Sequence, residues 1–214
     1  MPAGRVFVFD VDGTLYPNDH AFALALHARH GEVFRRAVGL DGPDAHAEFV
    51  RLSRRHGLGL IGVAREHDGD LAALLADAHD VDAGVLRPQR WLVPAVAALP
   101  GRRLMFTNGP RAHAVRVVAA LGLSELIVGG LSIEDMTEWP KPSPEAFAAL
   151  LALAGVPPER IVLFEDSLTV AAAAAGRGIR VALVGAPPQP VPDGVVAHPG
   201  LRAALSWAGG LPPP

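Results

Sequence analysis

Asp10 and Asp12 are the residues around which chemistry can be built, because they stand one residue apart directly after the apolar run 6–9. That run is short, rich in β-branched and aromatic side chains, and ended by acids and a glycine, which reads as a buried strand and not a helix. In an open α/β sheet, ligands bind outside the carboxyl ends of the strands, so the two acids fall where a reaction would be carried out. Carboxylates this close repel each other and are costly to bury without a cation or a shared proton. A divalent metal is the economical explanation. As bare turn residues, with Gly13 supplying a positive φ, the pair would need none.

Three further polar groups stand at strand ends or helix starts. Thr107-Asn108-Gly109 offers a hydroxyl and backbone N–H groups at a helix start, a phosphate cradle that adds no charge, and it also fits an ordinary helix cap. Lys141, in Lys-Pro-Ser-Pro before another helix, offers an ammonium that can neutralise phosphoryl oxygens and the charge of Asp10 together. It is the sole lysine among nineteen basic side chains, which fits a position needing a compact ammonium in place of a planar fork. Glu165-Asp166-Ser167 offers a carboxylate that can complete a metal site begun by Asp10, since Mg2+ takes a few hard oxygen ligands and keeps several waters.

The elements that must position these groups alternate. Strands are expected at 6–9, 103–106, 126–128, 161–164 and 181–184. Helices are expected at 91–99, from Pro110 to a stop at Gly122, from a Ser143 cap with Pro144 in the first turn, and at 168–175. That order predicts an α/β fold, a Rossmann-like, mostly parallel sheet with right-handed crossovers. Between the first two strands the pattern is helical only: one helix capped by Asn18 or Asp19 and ending near Gly31, one capped by Asp44 and stopping at Gly57, and one after Asp70. The glycine-rich stretch 57–62 reads as an interhelical connection, and 186–199 and the terminal Leu-Pro-Pro-Pro as loop or tail. The expected organisation is a core of residues 1–14 and 88–214 with an all-helical cap, 15–87, inserted after the first strand.

Phe-Asp-Val-Asp-Gly-Thr-Leu-Tyr-Pro, Phe-Thr-Asn-Gly-Pro-Arg-Ala-His-Ala, Lys-Pro-Ser-Pro and Phe-Glu-Asp-Ser together resemble the four motifs of the haloacid dehalogenase superfamily, most of whose members are Mg-dependent phosphatases. Within it they look like the bacterial pyrimidine 5'-nucleotidase-like branch, over most of residues 5–16 and 102–185. Gly13 departs from the asparagine frequent in that branch, and Val170 from a polar residue. The resemblance implies that Asp10 attacks phosphorus and that Asp12 protonates the leaving oxygen and then activates water. It further implies that Asp10, the Asp12 carbonyl and Asp166 hold Mg2+, that Thr107, Asn108, Gly109 and Lys141 bind the phosphate, and that Glu165 supports Lys141 or a metal-bound water. The dehalogenases of the superfamily lack the second aspartate, and here Asp12 is present.

Composition bounds the alternatives. A formal charge of −3 with no basic stretch speaks against nucleic acid, the absence of cysteine removes thiol chemistry, and no leader pattern or apolar run of membrane length is visible. The expectation is a cytoplasmic monomer or homodimer acting on a small phosphomonoester. Nucleoside 5'-monophosphates lead, pyrimidine ones by resemblance, with sugar phosphates or phosphoglycolate as the enzymatic rival. A phospho-acceptor signalling module and a silent binding protein are the other classes. His113 is a candidate to line the pocket. His27 and His30 read as surface or packing residues, and Arg35-Arg36 and Arg54-Arg55 as solvated helix faces.

Overall fold

The computed structural model describes residues 4–136, 138–185 and 190–212. Six strands, β1 (Arg5–Phe9), β2 (Gly101–Phe106), β3 (Gly130–Leu131), β4 (Ile161–Glu165), β5 (Arg180–Val184) and β6 (Val195–His198), form one sheet in the order β3-β2-β1-β4-β5-β6. Every pairing is parallel. All five side chains of β1 and of β4 are buried, as expected of strands covered on both faces. Phe9 and Phe164 stack across the centre of the sheet at 4.6 Å.

Between β1 and β2 the chain is helical: α1 (Ala21–Val38), α2 (Gly42–His56), α3 (Gly59–Glu66), α4 (Leu71–Ala78) and, just before β2, α5 (Leu92–Ala97). The first four share a hydrophobic cluster separate from the sheet, built on Phe34, Leu52, Ile61, Val63 and Leu75. The remaining helices, α6 (Arg111–Ala120), α7 (Pro144–Ala154), α8 (Leu168–Ala175) and α9 (Leu201–Gly209), cover the sheet. No helix among the described residues is long and apolar enough to cross a membrane.

Several local expectations are corrected. Only 57–58 of the stretch 57–62 connect two helices: from Gly59 it is helix α3, and its glycines are contact points, since a Cβ on Gly59 would lie 2.7 Å from the Phe49 ring and one on Gly62 2.6 Å from Leu52 Cβ. Helix α1 runs through Gly31 to Gly39, whose φ of 68° ends it, and His20, not Asn18 or Asp19, supplies its side-chain cap. Asp41 occupies the N-cap of α2, with Asp44 in its first turn. The third strand lies at Gly130–Leu131 because 126–127 turn back, both N–H groups donating to Leu123 O. Within the stretch read as loop, Val195–His198 is the edge strand β6; positions 186–189 of that stretch and 213–214 of the tail lie outside the described residues.

Candidate active site

Parallel register does the first part of the positioning. Phe9 is level with Met105 of β2 and Phe164 of β4, so Asp10, Thr107 and the pair Glu165-Asp166 leave the sheet side by side at its carboxyl edge. The Asp10 N–H donates to Phe164 O at 3.0 Å, carrying the ladder one residue past the strand. The Thr14 hydroxyl donates to Asp10 Oδ2 at 3.0 Å, one turn further on.

Lys141 arrives from the loop before α7. Its ammonium donates to Asp10 Oδ1 at 2.7 Å, to Glu165 Oε2 at 2.9 Å and to the Phe106 carbonyl at 2.8 Å, so all three protons are committed. Asn108 clamps that loop: its amide donates to Lys141 O at 3.0 Å and its Oδ1 accepts from Lys141 N–H at 2.9 Å. The Asn108 side chain is thereby spent on holding the lysine, and the turn offers the cavity its backbone and the Thr107 hydroxyl. Thr107 Oγ1 accepts from Gly109 N–H at 2.9 Å, which leaves its own proton to donate. The second oxygen of Glu165 accepts from Ser167 N–H at 3.0 Å.

Asp10, Glu165 and Asp166 each bring an oxygen within 4.8 Å of the other two. The Asp12 carboxylate is not part of this cluster. Its Oδ1 accepts from His113 Nε2 at 2.7 Å and from the Tyr16 hydroxyl. Asp166 Oδ2 accepts from Asn18 Nδ2 at 2.7 Å. The turn that allows this needs glycine: Gly13 has φ +82°, and a Cβ there would stand 2.2 Å from Asp166 Oδ2.

Burial pushes the Asp10 carboxyl up to about 6, with Lys141 opposing and Asp166 adding to the rise. Burial likewise raises Glu165 to about 8, with Asp10 adding to it. Burial alone would lower the Lys141 ammonium, but Asp10 and Glu165 outweigh it and hold the group charged. Asp10 and Glu165 therefore share one cation with Asp166 beside them, and this cluster of hard oxygen donors is what a divalent ion such as Mg2+ would suit. At Asp12 the penalty of burial is overcome by the hydrogen bonds from His113 and Tyr16, which hold it below its usual range. Burial, and then the Asp12 charge, keep the Tyr16 phenol protonated far above its usual range.

Above these groups lies a cavity of about 430 Å³. Asp10, Asp12, Thr107 and Lys141 form its floor; Phe49, Leu58, Leu60, Ile61 and Leu75 of the helical segment face them, with His30 and His79. Burial lowers His30 to about 4 and His79 to about 3, so both are neutral at pH 7. The arginine pairs stay out of the cavity; Arg35, Arg36 and Arg55 instead pair with Asp41, Asp77 and Glu66. Tyr16, Asn18, His30 and His79 were not anticipated as site residues. Tyr16 carried a signal, its spacing of four from Asp12, equal to that of Thr14 from Asp10. The two histidines come from separate helices and carried none.

Comparison with known proteins agrees with this architecture. The family model described as haloacid dehalogenase-like hydrolase matches residues 5–178. Protein CbbY of Rhodobacter capsulatus is 30% identical over 202 residues, 84% of either chain. The phosphorylated carbohydrates phosphatase of Thermotoga maritima is 25% identical over 183 residues, 80% of this chain and 81% of that one. A further curated relative matches over 139 residues, 43% of its own length. The L-2-haloacid dehalogenase of Xanthobacter autotrophicus, solved with chloropropionic acid covalently bound, has the same fold at 18% identity, with a TM-score of 0.63 over 97% of this chain and 99% of that one. By its motifs, its all-parallel sheet and the family match over most of its length, the chain belongs to the haloacid dehalogenase-like hydrolases.

Proposed function

We propose that the protein is a Mg2+-dependent phosphomonoesterase that works through an aspartyl phosphate on Asp10. The observation that carries this reading is a buried Asp10 carboxylate, held by Lys141 and Thr14, with Asp12 beside it on the floor of the same cavity. An Asp10 oxygen attacks phosphorus, the bond from phosphorus to the ester oxygen breaks, and protonated Asp12 gives its proton to that oxygen. Free Asp12 is ionised; the negative charge of a bound phosphate, brought against it, raises its pKa and favours the protonated form. Water then attacks phosphorus and yields a proton to Asp12, and the bond from Asp10 to phosphorus breaks, releasing inorganic phosphate. The Thr107 hydroxyl and the Asn108 backbone N–H meet the equatorial oxygens, and the Lys141 ammonium, hydrogen-bonded to Asp10, offsets their charge through space. Asp10, Asp166 and the Asp12 carbonyl would hold Mg2+, which when bound neutralises charge on the phosphoryl group. Glu165 keeps Lys141 in place.

In this reading residues 1–14 and 88–214 are the core and 15–87 the cap, which closes over the substrate and excludes water. The cavity wall selects the leaving group. On the side of the helical segment it is apolar apart from two neutral histidines and the uncharged Ser53 hydroxyl, and Lys141, the one lysine, has no proton to spare, so a second anionic group would be desolvated without a cationic partner. That favours monophosphates carrying an uncharged, partly apolar group, with nucleoside 5'-monophosphates, pyrimidine ones first, as the leading class. Sugar phosphates are the second reading, favoured by the relationship to the phosphorylated carbohydrates phosphatase.

The test is phosphate release from UMP, CMP, purine nucleotides, sugar monophosphates, a sugar bisphosphate and phosphoglycolate, each with Mg2+ and with chelator. Mg-dependent release that is strongest with a nucleoside or sugar monophosphate is expected. Release strongest with the bisphosphate or with phosphoglycolate overturns the substrate reading. No release from any ester, or an aspartyl phosphate that persists, overturns the enzymatic one in favour of a signalling or binding role.

A further inference from the structure

We infer that His113 and Tyr16 are positioning residues that decide which oxygen of Asp12 carries the transferred proton; the inference rests on the acid role proposed for Asp12. Both donors converge on the same oxygen, Oδ1: against the ionised carboxylate, which can only accept, His113 Nε2 donates at 2.7 Å and the Tyr16 hydroxyl donates as well. An oxygen that already accepts two hydrogen bonds has no room for a proton of its own. Protonated Asp12 must therefore carry its hydrogen on Oδ2. That oxygen lies toward the phosphate turn, where a Cβ on Gly109 would be 3.2 Å from it and 3.3 Å from Thr107 Oγ1. No hydrogen bond reaches Oδ2 among the described residues. The clamp thus closes the far side of the carboxylate and leaves the side that faces the reacting ester.

The two donors cannot turn away, because the helical segment braces them. Phe22 of α1 stacks flat on the His113 imidazole, with centroids 5.9 Å apart and planes 5° apart, and meets the Tyr16 ring edge-on at 5.2 Å. One buried phenylalanine therefore supports both. His79, at the end of α4, sets its ring against His113 at 4.8 Å and 61°. The orientation of His79 is itself determined: Nδ1–H donates to Leu75 O at 2.8 Å, so in the neutral ring Nε2 accepts, and it receives Nε2–H of His30 at 3.2 Å. A file of side chains, His30, His79 and His113, runs from the cavity wall to the acid, and the helices that choose the leaving group also hold the group that protonates it. The value of such a clamp is orientational: a carboxylate free to rotate presents its proton to the ester oxygen only part of the time.

The experiment is a leaving-group comparison. An aryl ester such as p-nitrophenyl phosphate departs as a stable anion and needs little acid help, whereas a simple alkyl phosphate departs as an alkoxide and needs a proton. The quantity compared is kcat/KM, which covers the steps up to departure of the leaving group and omits hydrolysis of the phosphorylated enzyme. With Tyr16→Phe and with His113→Ala, kcat/KM for the alkyl ester is expected to fall at least about 30-fold and for the aryl ester by less than about threefold. His113→Gln, whose amide N–H can reach the same oxygen, is expected to recover much of the alkyl activity. Equal losses for the two esters, or none, overturn the inference while leaving the phosphatase reading intact. An unmutated protein that hydrolyses neither ester refutes that reading and this inference with it. Tyr16→Phe removes one oxygen and no packing volume, so the test survives if His113→Ala does not fold.

Discussion

Gly13→Ala is a sharp probe of how the proposed metal site is built, because one methyl group there has a calculable place to go. The added Cβ would stand 2.2 Å from Asp166 Oδ2 and 2.8 Å from Asn18 Nδ2, and both contacts are closer than real Cβ atoms come. The backbone at φ +82° adds its own penalty, about 1–2 kcal/mol for a residue with a side chain. In a chain of this size, where 1 kcal/mol moves the melting temperature by about 2–4 °C, that strain alone predicts a loss of about 2–8 °C. The cheaper relief of the steric overlap is rotation of the half-buried Asp166 side chain, which takes one corner out of the Asp10–Glu165–Asp166 cluster. We therefore expect Mg2+ affinity, measured by calorimetry, to fall at least about tenfold, in the range typical of losing support for a ligand. Asparagine tolerates the left-handed conformation better than alanine, but in this chain the Asn18 amide already occupies the space that a side chain at position 13 would need. Gly13→Asn should accordingly be less damaging in an Asn18→Ala background than alone. A Gly13→Ala protein that binds Mg2+ as tightly as its parent and melts within about 1 °C of it would refute the reasoning.

Lys141→Met is expected to abolish phosphate release and to lower stability by about 3 kcal/mol in urea titration, since it leaves buried carboxylates without their cation; near-normal turnover would remove Lys141 from the proposed mechanism. His79 should make the fold acid-sensitive: burial holds it near 3 against 6.5 in the unfolded chain, so between those values the unfolded chain binds the extra proton and stability falls as pH drops. At pH 5 the loss is about 2 kcal/mol relative to neutral pH, and His30, which faces His79 and is held near 4, adds in the same window. The urea midpoint should drop from pH 7 to pH 5 by less in His79→Gln than in the parent; equal drops would contradict this origin. Gly62→Ala forces a Cβ to 2.6 Å from Leu52 Cβ where α3 meets α2, an overpacking cost of about 1–3 kcal/mol readable in thermal melting; an unchanged midpoint would show that the two helices can part freely.

The residues that were legible in advance are those whose chemical type and backbone position coincide within three or four residues. Asp10, Thr107 and Asp166 each follow a buried strand and Glu165 ends one, and parallel register then brings them close to level. Lys141 was legible for a compositional reason, as the only lysine of the chain, and the structure gives that a physical basis. Its ammonium donates to three oxygens within 2.9 Å in a site with no exposure to spare, which a wider guanidinium fork would have to displace. Legibility failed where a local signal had two meanings. Gly59 and Gly62 look like loop residues, yet they are the places where α3 lies close against Phe49 and Leu52, and the same absence of a side chain serves either purpose.

It failed altogether where function depends on company set by packing. Asp12 and His113 are separated by 101 positions and His30 and His79 by 49, and no periodicity links them. What joins them is the seating of the helical segment on the sheet: Phe22 enters between Tyr16 and His113, and His79 closes against the far edge of the imidazole. The proposed nucleophile Asp10 and the acid cluster belong to strand ends, and Lys141 to the loop before α7, so they would keep their geometry if the helices between β1 and β2 moved. Asp12, the proposed general acid, would not, because part of what orients it belongs to those helices. On that division, displacing α1 and α4 should weaken proton delivery before it weakens phosphate binding, and the leaving-group comparison separates those two effects.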